Sequence, residues 1–142
     1  MTVTELVQRS NVGEALDGFC IALPSDGGPE TLGRRVRTIL TALSDVDPAQ
    51  EGIVRKILLD KRGWRFRFAR ADYLVTCFAP CYPSTSSRYA FGVEAAFLLL
   101  QPEISFARHQ LPPDTPITAD PPQTIRDKTR WTYRKAGRAY QW

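Results

Sequence analysis

Histidine occurs once in this chain, at position 109, and cysteine three times. That scarcity excludes several kinds of chemistry. A closed zinc site needs four Cys or His ligands in paired spacing. Cys77-x3-Cys81, with Cys20 far upstream, has no second pair. An odd number of cysteines gives no disulfide framework and points to a reducing compartment. No apolar run approaches the roughly 20 residues that span a bilayer. The N-terminal MTVTELVQRS lacks the basic region and apolar core of a signal peptide, so the cytoplasm is the expected location. There is no glycine-rich phosphate loop: Gly27-Gly28 runs into Pro29 and Glu30, without the G-x-x-x-x-G-K pattern. The acidic residues do not cluster as a two-metal site would require. Neither an internal repeat nor a low-complexity segment is present.

What is there fits a globular protein. A chain of 142 residues predicts one domain over 1–142, long enough to bury a real core. Its hydrophobic fraction of 43% and charged fraction of 24% are ordinary. The net charge of +4 is uneven. Arg126, Lys128, Arg130, Arg134, Lys135 and Arg138 face a single acid, Asp127, in the C-terminal stretch, and the remainder is nearly neutral. Trp131, Tyr133, Tyr140 and Trp142 interleave with these cations, as in proteins that stack single-stranded nucleic acid. An ordinary terminal helix, aromatics packed and charges in water, has the same composition and is the favoured reading.

Periodicity marks the elements. Thr4 to Leu16 reads as a short amphipathic helix. Phe19–Leu23 is a short apolar segment closed by Pro24. Leu32, Val36, Ile39, Leu40 and Leu43 fall at helical spacing, with Arg34, Arg35 and Arg37 on other faces, which predicts a helix over Thr31–Leu43. The SDVDP that follows stops it, since the residue before proline leaves the helical region. Ile53–Leu59 is ambiguous between helix and strand. Trp64–Ala69 alternates apolar and basic residues and predicts a half-buried strand. Arg70-Ala71-Asp72 is a tight connection into a second strand, Tyr73–Ala79. Val93–Gln101 is apolar without alternation after Glu94 and predicts a buried, central strand. Five prolines in 111–122 make a stiff connection before a basic C-terminal helix. That helix, Gln123–Tyr140, is expected to be capped by Asp120, with Gln123 completing a capping box and Ile125, Thr129, Tyr133 and Ala136 along one side. The expected fold class is α/β of the α+β kind: a mainly antiparallel sheet with helices packed on it.

Few side chains carry candidate chemistry. His109 follows the central strand, where a chain often leaves a sheet and opens a pocket, and a histidine there is suited to ligate a metal or move a proton. A lone histidine is more often an ordinary hydrogen-bonded residue. Arg88, in Ser87-Arg88-Tyr89, is placed to grip a carboxylate by a two-pronged hydrogen bond. A solvated loop arginine is the plainer reading. Cys77 falls on a strand, where free cysteine behaves as a small hydrophobe. Cys81 lies in a proline-rich loop, and its only histidine partner would be His109, a pairing that no spacing rule supports.

The order of these pieces resembles the YqcI/YcgG family over Phe19 to about Arg130. The matching pieces are Phe19-Cys20, the helix end Ala42-Leu43-Ser44-Asp45-Val46-Asp47, and the FRF…YLV strand pair. They continue with Pro80-Cys-Tyr-Pro83 and Ser87-Arg88, the strand-ending Leu100-Gln101-Pro102, and Ile125-Arg126-Asp-Lys128. Relatives in that family include haem-dependent N-oxygenases, which hydroxylate a guanidine or amine nitrogen of small amino acids in natural-product biosynthesis. Phe106-Ala-Arg-His109 is similar to the Phe-x-x-His segment that follows the last core strand in some branches. The resemblance implies haem and iron binding with His109 as axial ligand, and places Ser87, Arg88 and Gln101 beside the cofactor. It further implies that arginines pair with the propionates. The implied partners are a small amino-acid-like substrate and an electron donor, without a membrane; a homo-oligomer stays open. Cys77 and Cys81 are the rival iron ligands, because a thiolate also holds haem. The chain is short for the family and carries a proline-rich insert right after His109. Two alternatives stand beside this reading. One is a non-enzymatic small-ligand or protein-binding domain of the same fold. The weaker one is nucleic-acid binding through the basic C-terminal helix.

Overall fold

The computed structural model describes residues 16–50, 64–90, 92–109 and 119–138. The expected helix Thr4 to Leu16 (save Leu16 itself), the ambiguous Ile53–Leu59 and most of the proline-rich connection lie outside them. Among the described residues, four strands form one antiparallel sheet: β1 (Phe19–Leu23), β2 (Phe66–Phe68), β3 (Ala71–Phe78) and β4 (Ala96–Pro102), in the order β1-β4-β3-β2. Three helices accompany them there: α1 (Pro29–Asp45), α2 (Glu103–Arg108) and α3 (Ile125–Lys135). The fold is a small α+β domain, as the patterning implied.

The run Ala96–Pro102 occupies the central place because it is apolar on both sides. Ala96, Leu98, Leu100 and Pro102 are buried on one face, and Phe97, Leu99 and Gln101 are half-buried on the other. A strand flanked by neighbours and partly covered on both faces needs no polar alternation. Its start is later than expected. Val93 is exposed and precedes β4, and the strand instead continues through Gln101 into Pro102. The short segment Phe19–Leu23 is a strand, β1, paired with β4 in the register Phe19↔Leu100, Ile21↔Leu98, Leu23↔Ala96. Nothing local marks five residues as a strand; β4 supplies the missing hydrogen bonds.

The core lies between one face of the sheet and α1. Leu32, Leu40 and Leu43 of the helix join Phe19, Leu23, Phe66, Phe68, Tyr73, Leu98 and Leu100 in one buried cluster, with Val36 and Ile39 packed against it. Arg34 and Arg37 point to solvent, as the spacing implied. Arg35 does not. Its guanidinium donates to Pro24 O at 2.9 Å, Asp26 O at 2.8 Å and Asp26 Oδ2 at 2.8 Å. This clasp ties the β1–α1 connection to the helix and holds the Asp26 carboxyl below the usual carboxylate range. α1 begins at Pro29, two residues before the expected start, because proline suits the first turn where its missing N–H has no partner to lose.

The β2–β3 hairpin turns on Ala69 and Arg70, both in the left-handed region (φ 49° and 65°). Two left-handed central residues make the mirror-image turn that matches strand twist. The connection is therefore Ala69-Arg70, and Ala71 and Asp72 belong to β3. Asp47 offsets the cost. This buried carboxylate accepts from Ala69 N–H at 2.8 Å and Ala49 N–H at 3.1 Å, so it pins the turn to the end of α1.

α3 starts later than expected, at Ile125, and ends at Lys135. Its cap is Thr124, whose hydroxyl accepts from Asp127 N–H at 3.1 Å while Asp127 Oδ2 accepts from Thr124 N–H at 3.1 Å. This is a capping box with Asp at the third position, in place of Asp120 with Gln123. Asp127 Oδ1 also accepts from Ala119 N–H at 3.2 Å. The inward face is consequently Asp127 and Arg130, both buried, whereas Ile125, on the expected apolar side, is 59% exposed. The Thr124 N–H bond holds the Asp127 carboxyl below its usual range, against the opposing effect of burial. A depressed folded pKa adds stability that is complete above the unfolded carboxylate value, about 4, and lost as pH falls through the folded value. Helical circular dichroism is therefore expected to fall below about pH 4, and Asp127→Asn to narrow the gap between neutral and acid stability.

Candidate functional site

The candidate residues divide between the two ends of the sheet. Phe97 stands opposite Phe78, the last residue of β3, and Pro102 stands opposite Tyr73. From Phe97 to Pro102 an extended strand covers about 17 Å.

Ser87 and Arg88 lie at the Phe78 end, in a built loop. Ala79 N–H donates to Arg88 O at 2.9 Å, and Ala79 and Tyr89 form an isolated parallel bridge. Prolines and serines turn the chain between them: Tyr82 N–H reaches Ala79 O at 3.3 Å, Ser86 N–H reaches Pro83 O at 2.8 Å, and Ser86 Oγ accepts from Arg88 N–H at 3.1 Å. Ser86 and Ser87 are buried. The Arg88 guanidinium carbon stands 5.7 Å from the centroid of the Phe78 ring, a cation–π contact that fixes its place. Cys77, Cys81 and Tyr82 pack against the edge of the core close by. Burial pushes the Cys77 thiol up, with Arg88 opposing. A neutral, core-facing thiol is a packing group and a poor iron ligand.

His109 lies at the Pro102 end. The chain leaves β4 at Pro102, makes the short helix α2, and ends it with His109, whose N–H donates to Ser105 O at 3.2 Å. The imidazole Nε2 is 2.7 Å from Asp17 Oδ1. Their side chains are 58% and 56% exposed. Asp17 reaches this place because Gly18 lets the chain lie close on β4. A Cβ at position 18 would come within 2.9 Å of the Leu100 carbonyl oxygen and 3.1 Å of Gln101 Cγ. Gly18→Ala is expected to push the start of β1 off β4 and to cost about 1–3 kcal/mol in urea unfolding, an overpacking penalty against backbone that cannot yield easily. Gln101 is half-buried on the sheet face away from the core, opposite Leu74. Arg65 pairs with Glu103 on α2 at this same end.

The structure thus brings His109 and Gln101 to one end of the sheet and Ser87 and Arg88 to the other. Asp17 escaped the sequence reading, since 92 residues separate it from His109 and no local pattern joins them. Among the described residues, no three His, Cys, Asp or Glu side chains gather as a metal-holding group, and no helix is long and apolar enough to cross a membrane. Compared with protein-family models, curated proteins and solved structures, the chain matches none.

Proposed function

We propose that the chain is a haem-binding protein of the N-oxygenase type, in which His109 would hold the iron and a guanidine or amine nitrogen of a small amino acid would be the substrate. The observation that carries this reading is the His109–Asp17 pair. Metal-ligating histidines have their second ring nitrogen held by a carboxylate or carbonyl, which sets tautomer and ring orientation. In the tautomer with the proton on Nε2, shared with Asp17 Oδ1 2.7 Å away, the Nδ1 lone pair is left for a metal. Haem would supply the redox chemistry that N-oxygenation needs. The chain's own part is to hold the ring through Asp17 and to carry the cations Arg65 and Arg108 at the same end. Arg88, in the loop beyond the Phe78 end of the sheet, does not share that place.

A second reading, a non-enzymatic small-ligand or protein-binding domain, is favoured by the exposure of His109, because cofactor sites are concave and mostly apolar. Titration of the purified protein with haemin separates the two. The first reading expects a saturable Soret band that His109→Ala abolishes and Asp17→Asn weakens, with folding unchanged by circular dichroism. A Soret band that survives His109→Ala and disappears in Cys81→Ser moves the ligand to the loop cysteine. No Soret band in the native protein removes the haem reading and leaves the binding domain.

A further inference from the structure

We infer that the outward face of α3 is a docking surface for single-stranded nucleic acid, independent of the His109 site. The helix Ile125–Lys135 buries its acid, Asp127, as a cap, so the charge it shows to solvent is positive. Lys128 and Lys135 are exposed and stand two turns apart, about 10 Å, on one side of the helix. Arg134, also exposed, adds a cation in the last turn, round the helix from the two lysines and in line with Asp127 and Arg130. Trp131 is half-buried between Lys128 and Lys135, and Lys135 Nζ sits 4.1 Å from its ring centroid. The contact holds the ammonium in place, so less side-chain freedom is lost when it meets a phosphate.

Helix stability explains only part of this pattern. Arg134 and Lys135 complement the negative C-terminal end of the helix dipole. Lys128 is at the fourth helical position, near the positive end, where a cation gains nothing from the dipole. Two cations one behind the other along a helix, one of them held by an aromatic ring, form an arrangement that tracks a sugar-phosphate backbone. An anionic membrane is a poorer match, because an interfacial helix needs a continuous apolar face and α3 exposes Ile125 as its large apolar side chain.

The probe is a fluorescent oligothymidylate of about 20 nucleotides, followed by anisotropy between about 50 and about 200 mM salt. The native protein is expected to bind it, with affinity falling steadily as salt rises. The triple variant Lys128→Gln/Arg134→Gln/Lys135→Gln is expected to bind about tenfold or more weakly. Its log–log salt slope should be shallower by about 2, since three phosphate contacts of about 0.7 each are lost. Lys128→Gln alone, which leaves the Trp131–Lys135 contact in place, should show a smaller loss in the same direction, with unchanged helical circular dichroism in both variants. The inference is overturned if no complex forms at the lowest salt or if the triple variant binds as well as the native protein. It is equally overturned if phosphatidylserine vesicles or polyglutamate are bound as tightly as the oligonucleotide.

Discussion

Replacing Leu98 with alanine is expected to destabilise the protein by about 3–5 kcal/mol, read as a lower urea midpoint with an unchanged slope. Leu98 has 0% of its surface exposed and lies in the middle of the central strand. Ile21 stands beside it on β1 and Cys77 on β3. α1 closes the same core from above the sheet, with Leu40 also almost wholly buried. Truncation removes the transfer free energy of the side chain and leaves a cavity whose walls are backbone-paired strands, which collapse poorly. A loss below about 1 kcal/mol would mean that the β1–β4–β3 layer is looser than its register implies. Leu98→Ile or Leu98→Met keeps the volume and should recover most of the loss.

Asp47→Ala is the second large effect, at about 2–3 kcal/mol. The carboxylate is buried and accepts from the backbone N–H groups of Ala49 and Ala69. Alanine leaves both donors without that partner, and an unmet donor costs more than the net value of a hydrogen bond. The turn at Ala69-Arg70 adds to the effect, because non-glycine residues at φ 49° and 65° persist only where surroundings enforce them. Asp47→Asn keeps the carbonyl oxygen and should recover much of the loss. Urea unfolding of the three proteins separates these outcomes: equal stability of Asp47→Ala and the native protein would show that the hairpin turn holds itself.

The α1 pattern was legible because it is a statement about one face of one element. Leu32, Val36, Ile39, Leu40 and Leu43 recur at helical spacing and meet the sheet as their spacing implies. The alternation of Trp64 to Phe68 and the apolar run into Leu100 identified the β2–β3 hairpin and the central strand for the same reason: burial on one face, or on two, writes itself into local periodicity. The expected apolar side of α3 failed where a polar contact overrode the pattern. Asp127, drawn inward to cap Thr124 and Ala119, rotates the helix so that Ile125 faces solvent.

The sites show the same division more sharply. Residue type and immediate neighbours singled out His109, Arg88 and the two cysteines Cys77 and Cys81, and the family resemblance added Ser87 and Gln101. Which of them stand together was a matter for tertiary structure. Antiparallel pairing sends β4 away from the Ser87–Arg88 loop and delivers the chain to His109 at the far end. Asp17 became a partner of His109, and Asp47 the anchor of a turn 22 residues ahead, only through contacts across the fold. Local periodicity determines which face of an element is apolar, because neighbouring side chains share a backbone. Long-range pairs of polar groups leave no such period, and the order of strands in the sheet decides them.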